Sequence, residues 1–168
     1  YPGRAIVVNI HQGSYAARYT TQWGNALANN NVGIKEYPAG TVNRHVFTGT
    51  TTSVNYNSWP TYAAQIQAQA SPVNLAIKTD LDRETRVMVV SVEAYYTGSS
   101  AVTTNMLNIA ILQDSVIGPQ IGSANYPEMV VNGQYQHNHM LRDLITGQWG
   151  YEISETTAGS FYSQTFVY

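Results

Sequence analysis

The chain contains no cysteine, so a disulfide framework, a zinc ribbon and thiol catalysis are all excluded within its 168 residues. Charge is scarce too. Only 11% of residues are Asp, Glu, Lys or Arg, and eight basic side chains against ten acidic ones give a formal net charge of −2. The basic residues are scattered along the chain, which argues against a phosphate-binding surface and against nucleic acid as a partner. No run reaches the ~20 apolar residues of a membrane-spanning helix, and no charged-then-apolar leader opens the sequence. The chain reads as the mature part of a longer exported protein.

What is present points to sheets. Hydrophobic residues make up 43% of the chain, enough for a sizeable interior in one domain or in two small lobes sharing a core. With so few charges, Tyr, Thr, Asn, Gln and Ser must carry much of the solvated surface. Thirteen tyrosines, three tryptophans and three phenylalanines, set among Thr and Val, suit half-exposed pleated surfaces.

Along the chain, the apolar run from Arg4 to Ile10 predicts a strand buried on both faces. Tyr19, Trp23, Ala26 and Leu27 recur at helical spacing between Ala17 and Asn30, with Asn29, Asn30, Asn31 and Gly33 as the stop. A strand is expected from Thr41 to Phe47. A second helix is expected from a cap at Asn57 or Ser58, with Pro60 in its first turn, where a missing N–H is harmless. From Ser71 onward the pattern is β: Val73 to Asp80, a charged turn LDRET, Arg86 to Tyr96, Met106 to Leu112, a short segment between Ser115 and Ile121, and Phe161 to Tyr168. The strands ending at Tyr96 and starting at Met106 read as an antiparallel hairpin with a long loop. The stretch QHNHMLRDL fits either period and is read as a strand because strands surround it.

Several residues invite a chemical reading. His137 and His139 at i and i+2 would share one strand face and could share a metal, with Asp143, Glu152 or His45 as a third ligand. The blander alternative is a polar cluster in which the imidazoles hydrogen-bond locally while Arg142 and Asp143 pair with neighbours. That alternative is preferred, so no metal and no cofactor are assigned. His11, at the end of an expected strand, reads as a turn or cap residue. Asp80 and Asp82 lack the Gly and the later Glu of a calcium loop and read as a solvated hairpin turn. Trp23 and Trp59 fall on helix faces and should be core, whereas Trp149, flanked by Gly147 and Gly150, is the candidate ligand platform. No nucleophile, base and acid stand together, so no catalytic residue is assigned.

The run VGIKEYPAGTVNRHVF resembles the part of the thioredoxin fold that leads into a sheet strand, with Gly33, Ile34 and Pro38 in matching places. That resemblance implies that Pro38 is a cis-proline, although X–Pro bonds are cis in only about 5–6% of cases. The redox cysteines of such a fold would precede Arg4. Taken together, IVVNIHQGSY, EYPAGTVNRH, the Trp59 helix, HNHMLRD and GQWG resemble an outer membrane lipoprotein family. It is named for a twenty-eight-kilodalton surface protein of Gram-negative anaerobes of the Bacteroides and Porphyromonas group.

The resemblance implies an α+β protein: a truncated thioredoxin-like lobe over residues 1–70, then an antiparallel, jelly-roll-like β-sandwich lobe over 71–168 that continues further. It also implies an outer membrane or cell-surface address, with membrane attachment only through an upstream lipid anchor. The expected role is non-enzymatic binding, adhesion or reception of a protein or glycan. The alternative is a thiol–disulfide oxidoreductase or redox chaperone with its cysteines upstream. A homo-oligomer is also expected, because a thioredoxin lobe lacking its first elements would leave apolar sheet and an open edge exposed.

Overall fold

The computed structural model describes residues 3–29, 32–34 and 36–168. In chain order the elements are α1 (Gln22–Asn29), β1 (Ala39–Gly40), β2 (Val54–Asn55), α2 (Trp59–Gln67), β3 (Val73–Leu81) and β4 (Met88–Tyr96). There follow β5 (Asn105–Leu107), β6 (Ala110–Gln113), β7 (Val116–Gly118), β8 (Val130–Val131), β9 (Gln134–His137), β10 (Met140–Leu144), β11 (Tyr151–Ile153) and β12 (Phe161–Val167). Small antiparallel sheets with a few short helices make the protein β-rich α+β. The chain forms two compact units, one from 1–67 and 110–144, the other from 68–109 and 145–168.

In the first unit the expected single helix from Ala17 is divided. A 3₁₀ turn, Ser14–Tyr19, ends at Thr20, whose backbone is extended. Thr21 then starts α1 afresh, its Oγ1 accepting from Gly24 N at 3.0 Å as an N-cap side chain does. Of the expected stop, Asn30 and Asn31 lie outside the described residues, while α1 ends at Asn29 and Gly33 has φ 67°. The strand expected from Thr41 to Phe47 does not form, because Asn43 (φ 51°) and Arg44 (φ 50°) are both left-handed and bend the chain into a turn closed by His45 N to Val42 O. Only the two-residue ribbon β1–β2 remains. The second helix does form, with Pro60 in its first turn. Its lead-in is capped by Asn55, two residues earlier than the earlier of the two expected caps, through Asn57 N to Asn55 Oδ1 at 2.9 Å. Tyr62 stacks on Phe47 with ring centroids 3.9 Å apart.

The same unit holds β10 against β6, and β9 between β7 and β8, all antiparallel. Met140, Leu141 and Leu144 are all buried, and the register shift between Leu141 and Asp143 breaks the strict alternation that would set Leu141 and Leu144 on opposite faces. The segment from Arg4 to Ile10 is not the doubly covered strand that its composition suggests. It meets β10 at one point, a parallel bridge between Asn9 and Met140. Ile6 is 88% exposed, because no second layer is laid over the segment among the described residues.

The second unit is built on the sheet β12–β4–β3. Val90, Val92, Ala94 and Tyr96 of β4 alternate inward and form its core with Ile109 and Ile153. The hairpin turn reads as expected: Asp82 Oδ1 accepts from Glu84 N (2.8 Å) and Thr85 N (3.2 Å), an Asx turn open to solvent. The hairpin expected between β4 and the Met106 strand is absent, since β4 lies between β3 and β12. The Met106–Leu112 run itself breaks at Asn108, β5 pairing with β11 and β6 with β10.

Candidate functional site

The most concentrated chemistry in the first unit is a cluster of rings around His137. Asn9 anchors the segment before His11 to β10 by Asn9 N to His139 O (2.8 Å) and Leu141 N to Asn9 O (2.9 Å). His11 thereby reaches the end of β9, where His11 Nε2 and His137 Nδ1 lie 3.2 Å apart and share one proton. Tyr19 lies against both imidazoles, with centroids 5.2 Å from His11 and 4.6 Å from His137, and Tyr135 closes the far side of His137 at 5.0 Å. His137 is 3% exposed. Burial lowers the pKa of both histidines. For His11 the charges of His137 and Arg142 lower it further, while the Pro119 backbone partly offsets the effect at His137. Both imidazoles are therefore neutral at pH 7, and their shared hydrogen bond pins the segment after Asn9 onto β9.

The His137 and His139 pairing read from the sequence is not formed. The strand is interrupted at Asn138, and His139 is exposed with φ 55°, its N–H donating to Asp114 Oδ1 at 2.6 Å. Asp143 accepts a hydrogen bond from Trp23 Nε1 and from Leu144 N at 2.8 Å, and Arg142 is exposed. Among the described residues, no group of three or more His, Cys, Asp or Glu is arranged to hold a metal ion. Sequence reasoning missed the His11–His137 pair because 126 residues separate its members and neither has a local signature. In the sequence Tyr19 carries only the helical spacing it shares with Trp23, Ala26 and Leu27.

Trp149 belongs to the second unit and is 60% exposed. The turn that presents it is tied down on both sides. Ile145 N donates to Ile109 O (2.9 Å), Ile109 N to Thr146 Oγ1 (3.0 Å), and Asn108 Nδ2 to Gly147 O (3.2 Å). Gly150 (φ 84°) fits so closely that an added Cβ would lie 2.7 Å from Leu107 O. Next to it Tyr151 is exposed, its ring edge-on to Phe166 of β12 at 5.5 Å. The remaining aromatics differ from expectation in part. Trp23 is half-buried, whereas Trp59 covers Gly40 but keeps an exposed edge, with Nε1 donating to Val54 O at 3.3 Å. The Tyr37–Pro38 bond is cis, and Pro38 lies exposed directly before β1.

The geometry defines a β-rich protein that carries a half-buried neutral imidazole pair in one unit and a braced, exposed indole in the other. The chain belongs to the outer membrane protein Omp28 family, whose model matches residues 25–168. No curated protein and no solved structure matches it. Among the described residues no helix is long and apolar enough to cross a membrane.

Proposed function

We propose that the chain is the recognition part of a lipid-anchored, surface-displayed outer membrane protein that binds a protein or glycan ligand without transforming it. The observation that carries this reading is the Trp149 turn. A large apolar ring is held out in solvent by hydrogen bonds to 108–109 and by the tight seat of Gly150. A rigid aromatic offers contact area at small entropic cost, so a ligand meets a surface already in its bound form. Membership of an outer membrane family agrees with a role outside the cytoplasm. The test is a glycan and extracellular-protein array probed with the wild-type chain and with Trp149→Ala. Specific signals that the substitution removes support the reading; signals indifferent to Trp149 refute it.

A second reading, thiol–disulfide exchange by a thioredoxin-like first lobe, rests on the motif EYP standing directly before β1. It requires cysteines upstream of residue 1. A reactive-thiol titration of the parent protein separates the two, since a binding protein needs no titrating pair.

A further inference from the structure

Strand β3 ends the sheet β12–β4–β3, and among the described residues no strand pairs with its outer edge. Proteins usually shorten, bend or charge such an edge. Here the edge strand runs for nine residues without a proline. Its pairing with β4 decides which groups face outward. Asp82 N donates to Val87 O at 2.9 Å, one step beyond the Leu81–Met88 pair, so the bonds toward β4 come from even-numbered residues of β3. The other side of β4 keeps the same alternation, with Met88 and Tyr168 exchanging both bonds at 2.8 Å. The N–H and C=O of Val73 are taken by Ser71 Oγ, so Leu75, Ile77, Thr79 and Leu81 turn their N–H and C=O groups to the open edge.

The side chains of these same residues lie on the face of the sheet that buries Val90, Val92 and Ala94, since Leu75 is opposite Ala94 and Ile77 opposite Val92. On β3 that face is uncovered: Leu75 is 63%, Ile77 64% and Leu81 55% exposed. Unpaired backbone and uncovered apolar side chains thus coincide on one strand. That combination suits β-augmentation, in which main-chain bonds give affinity and alternate side chains give selectivity.

We propose that a second copy of this chain occupies the edge, β3 pairing antiparallel with β3 across a two-fold axis at Thr79. Only odd-numbered residues present hydrogen-bonding groups outward, so odd must pair with odd and the axis must fall on a residue rather than between two; at Lys78 or Asp80 it would set like charges directly against each other. With the axis at Thr79, Ile77 meets the second copy's Leu81 twice on the apolar face. Lys78 meets the second copy's Asp80 twice on the other face, at the non-hydrogen-bonded positions where cross-strand side chains approach most closely. With the axis at Ile77, Lys78 meets Ala76 and Asp80 meets Asn74, and no charge pair forms. The charges on β3 are therefore complementary to the strand itself, as an isologous dimer requires. Such a dimer needs no ligand at Trp149.

Sedimentation velocity of the whole chain, from about 1 μM to about 1 mM, tests this directly. The wild type should dimerise. Lys78→Asp, which sets Asp against Asp80, should weaken the dimer at least about tenfold. Lys78→Asp with Asp80→Lys should restore it, and Ile77→Lys should leave a folded monomer, since its side chain faces solvent in the single copy. Amide exchange of Ile77, Thr79 and Leu81 should slow as concentration rises. A wild type that stays monomeric throughout overturns the proposal. So does a dimer indifferent to Lys78→Asp, which would use another surface, or a charge swap that fails to restore association.

Discussion

Tyr19 puts its hydroxyl where another residue's side chain would start. A Cβ built on Gly118 would stand 1.8 Å from Tyr19 Oη, and that oxygen is buried without a hydrogen-bond partner. Gly118→Ala should therefore cost about 1–3 kcal/mol in urea unfolding, by overpacking rather than by any backbone strain. Tyr19→Phe should be neutral or stabilising, because a buried hydroxyl without a partner contributes only its desolvation cost. Combining the two should recover more than half of the loss, a coupling that a double-mutant cycle reads directly.

The adjacent imidazole pair gives the stability a pH dependence of fixed sign. Folded pKa values below the ordinary 6.5 mean that the unfolded chain binds more protons in the window between them. The stabilisation is complete above about pH 6.5 and is lost as pH falls through the lowered folded values. The urea midpoint should drop between about pH 7.5 and about pH 5.5, and His137→Gln should flatten that drop. An equal drop in the variant would mean that other groups set the acid response.

At the scale of elements, legibility follows the range of the signal. Strands β3, β4 and β12 were readable because alternation is local, and on β4 it sets one face against the core. The turn at Asp82 was readable for the same reason, its bonds reaching only two and three residues ahead. Misreadings arose where one residue overrides a pattern. Thr20 and Thr21 divide a helical period that runs unbroken in the sequence, and the left-handed Asn43 and Arg44 cancel a β-like composition. Removing the cap with Thr21→Ala should destabilise the protein by about 1 kcal/mol, measured by chemical denaturation. A change within error would show that α1 is held by its packing alone. The segment from Arg4 to Ile10 is a third kind of case: apolar composition states what could be buried, while burial requires an element on each side.

At the scale of the molecule, the chain passes between its two units after residues 67, 109 and 144. No composition change marks the second and third of these points. They follow from pairings such as β6 with β10, which join residues distant in sequence. The imidazole pair is hidden for the same reason, whereas Trp149 was legible because glycines at 147 and 150 bracket it within four residues. The outer membrane family and the braced indole together make recognition the central claim. The most direct test is an equilibrium titration of an array-identified ligand against the wild type and Trp149→Ala, paired with urea unfolding of both. Trp149→Ala should lose at least about tenfold in affinity with an unchanged unfolding midpoint. Equal affinities in the two proteins, or a loss that merely tracks a lowered midpoint, would contradict it.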